Sequence, residues 1–179
     1  MSITDIQQSI TGVPSYNAIC HFVPGVLFIY ILGFLTKFNL FDYIKGDNEF
    51  IVFVTALVIY FCVGVFVNRA GSMILSVKRD RSITKDSDWY EKYLYASDKD
   101  TGVEKLLIMK ELYKSLFAVF FITPLIFILL TEKLEIEHWL VLVVDVLVLQ
   151  FIYAAYKRQS SYLTKRIEAR TKGMGFKSD

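Results

Sequence analysis

Apolar positions in this chain come in blocks, not at regular intervals. Four runs, residues 18–36, 50–67, 115–131 and 139–156, contain a single formally charged side chain between them, Asp145. They are 19, 18, 17 and 18 residues long, and a helix needs roughly 17–25 residues to cross a hydrocarbon core of about 30 Å. Inside a bilayer every backbone N–H and C=O must be satisfied by the chain itself, which leaves helices or closed barrels. Barrel strands alternate apolar and polar residues over about ten positions, and none of the four runs alternates. The pattern predicts an all-α integral membrane protein, with four transmembrane helices and helical cytoplasmic extensions.

The segments between the runs are 1–17, 37–49, 68–114, 132–138 and 157–179. The longest is helix-competent almost throughout. Asp88 and Glu91 have the spacing of a capping box, and Thr101 and Glu104 make a better one. From Thr101 on, Val103, Leu106, Leu107, Leu112, Tyr113, Leu116 and Phe117 follow at mostly three- and four-residue steps. No breaker intervenes before Pro124, so this helix is expected to run straight into the third span as a rigid lever. The tail should extend the fourth span, with Tyr162, Leu163 and Ile167 on an apolar face and Gly173 and Gly175 as the stop. Ile3, Ile6 and Ile10 share one helical face, which fits a short surface helix or a frayed terminus.

Composition agrees with the pattern. The chain is 54% hydrophobic, against roughly 45–50% in soluble domains, and its mean hydropathy is +0.43. Cys20 and Cys62 both fall within spans and suggest neither a disulfide framework nor a zinc site. No lysine or arginine precedes residue 18, so the first run lacks the charged start of a secretory signal and is expected to stay as an anchor.

Charge distribution orients the chain where net charge does not. If residues 1–17, 68–114 and 157–179 share one side, that side holds 17 of the 20 lysines and arginines. Such a bias marks the cytoplasmic face, which predicts a bacterial inner membrane protein with both termini in the cytoplasm. Trp139 at one edge of the fourth run and Tyr153 and Tyr156 at the other suit interfacial anchors. Arg69, Lys78, Arg79, Arg81, Lys157 and Arg158 cluster where anionic lipid headgroups lie, and membrane lipids are their expected partners. Direct nucleic-acid binding is not expected, since the same cations serve as the topology signal.

Candidate chemistry is sparse. Asp145 sits near the middle of the fourth run, and an ionisable side chain at that depth is a functional candidate. It fits two roles: an interhelical hydrogen bond to Tyr60, Thr55, Thr123 or a second Asp145, or a place along a pore or proton relay. Gln150, five residues on, lies about 140° round the helix from it and is a second polar candidate for pore lining or helix packing. Trp89, Tyr90, Tyr93, Leu94 and Tyr95 are unusually aromatic for an extramembrane segment. They fit a docking surface for a cytoplasmic protein partner, or equally a packing layer over the segment's own helices. His21, Pro24 and Gly25 at the start of the first run read as shape, with Pro24 and Pro124 able to kink their helices.

Glu135 and His138 copy one spacing of a helical-bundle metal motif, but that motif needs a second Glu-x-x-His, and the chain has only two histidines. No metal or cofactor is therefore expected. A Walker loop, G-x-S-x-G, H-E-x-x-H and an Arg-x-x-x-x-His ribonuclease pattern are all missing. The extramembrane segments are also shorter than a domain of about 50 residues, so the pattern points away from an enzyme.

The strings VNRAGSMI, YLYASDKDTGVEKLLIMKELY and YKRQSSYLTKRIE resemble small four-span bacterial membrane proteins associated with antiphage defence systems, among them accessory proteins near RNA-targeting CRISPR loci. The resemblance covers most of the chain and carries no assigned site. It implies an accessory or effector that perturbs the membrane when a cytoplasmic partner reports infection, acting as a homo-oligomer because four helices alone enclose little more than side chains. Two other functions fit the residues: a small cation or proton channel or transporter using Asp145, and a membrane anchor for a soluble enzyme.

Overall fold

The computed structural model describes residues 18–37, 39–44, 46, 48–76, 89–130 and 136–172, with the side chains of Ser76, Tyr90, Leu130, Ile136, Glu137 and His138 outside that description. The described elements are all helical, and four of the helices are long and apolar enough to cross a membrane. The fold is that of a helical membrane protein, as the blocked pattern predicts.

A π-helical turn, Ala18–Phe22, opens the first span and passes into α1, Val23–Thr36. Pro24 lies in the first turn of α1, where its fixed φ suits the helix. The helix stops at Lys37, whose φ of 58° is left-handed, a closing geometry more often given to glycine. Asn39 then caps the short α2, Leu40–Tyr43, its Oδ1 accepting the Phe41 N–H at 3.2 Å. Asn48 does the same for α3, Glu49–Ser76, accepting the Phe50 N–H at 2.9 Å.

Beyond α3 come α4, Trp89–Lys99, α5, Thr101–Leu130, and α6, Ile136–Thr171. At 30 and 36 residues, α5 and α6 are about 45 and 54 Å long, well beyond a hydrocarbon core of about 30 Å. Both therefore run from the membrane into an extramembrane cap without a break. The unbroken helix expected from the sequence is present, and Pro124 lies within α5 without ending it. Its starting cap differs by one residue from the Thr101–Glu104 box. Asp100 is the cap: its Oδ1 accepts the Gly102 N–H at 2.9 Å and its carbonyl accepts the Val103 N–H at 2.9 Å. Aspartate at that position satisfies two of the helix's opening donors, leaving Thr101 exposed as the first helical residue. The Asp88 half of the other box and Gly173 and Gly175 lie outside the described residues, as do Ile3, Ile6 and Ile10.

α5 is the central helix, packing on α1, α3, α4 and α6. Small residues set the tight crossings. Gly25 and Gly64 bring α1 and α3 together backbone to backbone, since a Cβ on Gly25 would lie 2.8 Å from the Gly64 nitrogen. Two turns on, Gly71 lets α3 rest on the Lys114 carbonyl of α5. Between these crossings Val67, Ala118 and Val119 form a buried cluster, surrounded by Leu27, Phe28, Ile31 and Val63. Phe34, Phe66, Leu129 and Phe151 are each more than 70% exposed, an arrangement costly in water and suited to hydrocarbon.

The cap has a core of its own. Ala96 of α4, Val103 of α5 and Leu163 and Ile167 of α6 are buried together, with Trp89, Tyr93, Leu106 and Leu107 packed against them.

Candidate functional site

Where the bundle meets the cap, the π-helical turn that opens the first span is joined to α3 and α5 by a buried polar knot centred on the Cys20 carbonyl. The α-helical donor to that carbonyl would be the N–H four residues on, and residue 24 is proline, which has none. Two side chains from other helices donate instead: Asn68 Nδ2 at 3.3 Å and Ser115 Oγ at 3.2 Å. The Ser115 hydroxyl also lies 3.0 Å from the Glu111 carbonyl of its own helix, so one proton is shared between two acceptors. The Cys20 thiol in turn donates to the Ile108 carbonyl at 3.5 Å. Beside the knot Lys114 pairs with Glu111, both largely covered, and the His21 ring stands edge-on to Phe61 at 5.9 Å. Cys20, Asn68 and Ser115 are all buried. The knot holds three helices in register; it places no nucleophile beside a base in an open cleft.

A second constellation closes the cap. Arg166 forks onto Asp100, Nε to Oδ2 at 2.8 Å and Nη2 to Oδ1 at 2.9 Å. Arg170, one turn later, gives Oδ2 two more bonds, at 3.1 and 3.0 Å. A fork–fork guanidinium–carboxylate pair is among the stronger hydrogen-bonded contacts available. The Asp100 side chain is 8% exposed while Arg166 and Arg170 are about half exposed. What covers the carboxylate is the guanidinium pair itself, at a surface open to solvent. The hydrogen bond from Arg166 holds the Asp100 carboxyl well below the usual carboxylate range, helped by the Gly102 N–H and Arg170, and Asp100 raises Arg166 in return. Gly102 is part of the clasp: a Cβ there would lie 2.5 Å from Arg166 Nη2.

The residues singled out from sequence are scattered over the molecule. Asp145 lies half-buried on α6, and among the described residues it has no hydrogen bond or ion pair; Thr123 gives its hydroxyl to Val119 of its own helix at 2.8 Å. Gln150, also on α6, is exposed and likewise makes no hydrogen bond among the described residues. In the aromatic segment Trp89 and Tyr93 stack at 5.6 Å and pack on the cap core, Tyr95 lies under the Lys99 ammonium at 4.4 Å, and Leu94 faces outward. Tyr90 contributes backbone only, its side chain lying outside the described residues.

Among the cations, Arg69, Lys157 and Arg158 are exposed, Arg158 donating to the Tyr162 hydroxyl at 2.9 Å; Lys78, Arg79 and Arg81 lie outside the described residues. The Glu135 end of the metal-like spacing does too, and among the described residues no three His, Cys, Asp or Glu side chains converge as ligands.

Sequence reasoning passed over the knot and the clasp. Pro24 four residues after Cys20, and Arg166 four residues before Arg170, were the available signals. The structure defines a helical membrane protein whose extramembrane cap is built on the continuations of two candidate spans. Comparison with protein-family models, with curated proteins and with solved structures gives no match.

Proposed function

We propose that the protein is a non-enzymatic membrane effector or accessory protein that passes an event at its cap into its spans. In this reading it sits in the bacterial inner membrane, with cap and termini in the cytoplasm, within an antiphage defence system. The observation that carries it is the continuity of α5 and α6 through the cap and the apolar run. A continuous helix transmits tilt and rotation along its length: α6 has no proline, and Pro124 removes one backbone hydrogen bond late in α5, beyond the stretch that joins the cap to the apolar run. The cap core and the Asp100 clasp tie the exposed ends of α5 and α6 together, so a partner that shifts the cap shifts both spans. The polar knot, in which α3 and α5 both bond to the π-helical turn ahead of α1, extends the motion to the rest of the bundle. The orientation rests on the lysine and arginine bias, and the defence setting on the resemblance of the three sequence strings.

Uncoupling the lever tests the proposal. Replacing residues 157–160 of α6 by four glycines weakens helix continuity by about 1 kcal/mol per residue and leaves Leu163, Arg166 and Ile167 to hold the cap. In a strain carrying the gene with its native neighbours, the parent should restrict phage plating. The glycine variant should reach the membrane at parental abundance and lose the restriction. Full protection by that variant, or none by the parent, refutes the proposal.

A further inference from the structure

In the apolar stretch of α6, residues 139–156, Val143, Leu147 and Phe151 are at least half exposed, and the helix leans chiefly on α5. Between α6 and the end of α3 runs a cleft of about 440 Å³, lined by Ile74, Leu75, Phe117, Phe121, Leu149 and Gln150 among others. Its wall is hydrocarbon and aromatic except at the Gln150 carboxamide and the Tyr153 hydroxyl. That carboxamide is exposed, unbonded among the described residues, and six residues before the end of the apolar run at Tyr156. At 1.5 Å per residue it lies about 9 Å inside the run, where lipid tails offer neither donor nor acceptor. An amide left unpaired in hydrocarbon costs several kcal/mol.

We propose that a second copy of the chain docks here, its α6 entering the cleft so that the two Gln150 carboxamides hydrogen-bond to each other. Two copies with the same orientation in a membrane are related by a two-fold axis along the membrane normal, which sets identical residues at identical depth. A carboxamide is its own complement, donor and acceptor on one group, so Gln150 against Gln150 forms a reciprocal pair. A lipid chain fills the same volume and leaves the amide unpaired. The partner's α6 fills it and bonds the amide. Asp145, about 140° round the helix, lies away from this contact, so the interface does not depend on its protonation. The inference rests on the effector reading for its biological use and names the oligomer contact that reading calls for.

The test uses purified full-length protein in liposomes, labelled for energy transfer and diluted in lipid. The parent should self-associate, and Gln150→Leu, apolar and close in volume, should weaken the association about 3- to 30-fold, the range set by interhelical hydrogen bonds in membranes. Leu149→Trp, which fills the cleft, should do the same. With Cys62→Ser removing the exposed thiol, Gln150→Cys should oxidise to a covalent dimer, whereas Phe66→Cys, exposed on another helix, should not. A monomer at every density overturns the proposal. So does a dimer that Gln150→Leu leaves unchanged, or a co-purified phospholipid released by Leu149→Trp. Association is read without phage or partner. Weakening by Gln150→Leu therefore supports the interface even where protection persists, and a monomer refutes it even where the four-glycine lever variant behaves as expected.

Discussion

Replacing Gly64 by alanine tests the backbone crossing on which the bundle is built. The new Cβ falls on the His21 backbone carbonyl, and a helical carbonyl cannot rotate aside as a side chain can. Restoring an ordinary contact of about 3.5 Å requires α1 and α3 to part by about 1–2 Å. Overpacking of this kind costs about 1–3 kcal/mol. The same movement stretches the bonds from Asn68 and Ser115 to Cys20, already 3.3 and 3.2 Å, beyond useful length, at about 0.6 kcal/mol each in a membrane protein. Alanine returns about 1 kcal/mol through helix propensity.

The net expectation is a destabilisation of about 1–3 kcal/mol, or a fall in Tm of about 2–12 °C for a chain of this size. Thermal unfolding of detergent-solubilised protein measures it, followed by loss of the monodisperse peak on size exclusion. Gly46→Ala controls for the added methyl alone, because Gly46 lies between helices and a Cβ there meets only the Val52 side chain at an ordinary 3.4 Å. The sign is decisive. At an open helical site alanine would stabilise, so a Gly64→Ala protein melting at or above the parent refutes the crossing.

Two further expectations concern the cap. Asp100→Asn should loosen the end of α6 and speed tryptic cleavage after Lys165 and Arg166. Because Arg166 lowers the folded carboxyl, the clasp's contribution is complete above the unfolded value of about 3.9 and fades as pH falls beneath it. The difference between parent and Asp100→Asn should therefore stay level from pH 5 to 8 and shrink below about pH 4; a difference that changes between pH 6 and 8 would assign it to another group. Leu163→Ala removes a side chain 1% exposed in the cap core, at a cost of about 2–5 kcal/mol. Amide exchange should accelerate across α4 while residues 50–67 keep their protection, and unchanged exchange in α4 would contradict the cap core as described.

The spans were legible in the sequence because a hydrocarbon layer imposes a length and forbids charge, and both marks are local. The continuity of α5 was legible for the same reason: no residue between Thr101 and Pro124 interrupts a helix. The start of that helix is legible to within one residue, because Thr101 and Asp100 are both competent caps. The Gly102 and Val103 N–H groups, both bonded to Asp100 at 2.9 Å, distinguish them. Pairings between distant segments were not legible. Asp100 reads as one acid in a polar turn until α6 brings Arg166 and Arg170 across from 66 and 70 residues away.

The same holds for the residues of the membrane half. Gly46 and Gly64 are each a lone glycine in the sequence, yet a Cβ on Gly46 would meet only the Val52 side chain while one on Gly64 would fall on the His21 carbonyl. Pro24 shows locally that the Cys20 carbonyl lacks its α-helical donor, while the choice of Asn68 and Ser115 to serve it belongs to the crossing of three helices. The number, extent and composition of the helices were thus set by properties each segment carries alone. Which faces meet, and which polar groups find partners, followed from packing, since a contact between helices depends on both surfaces at once.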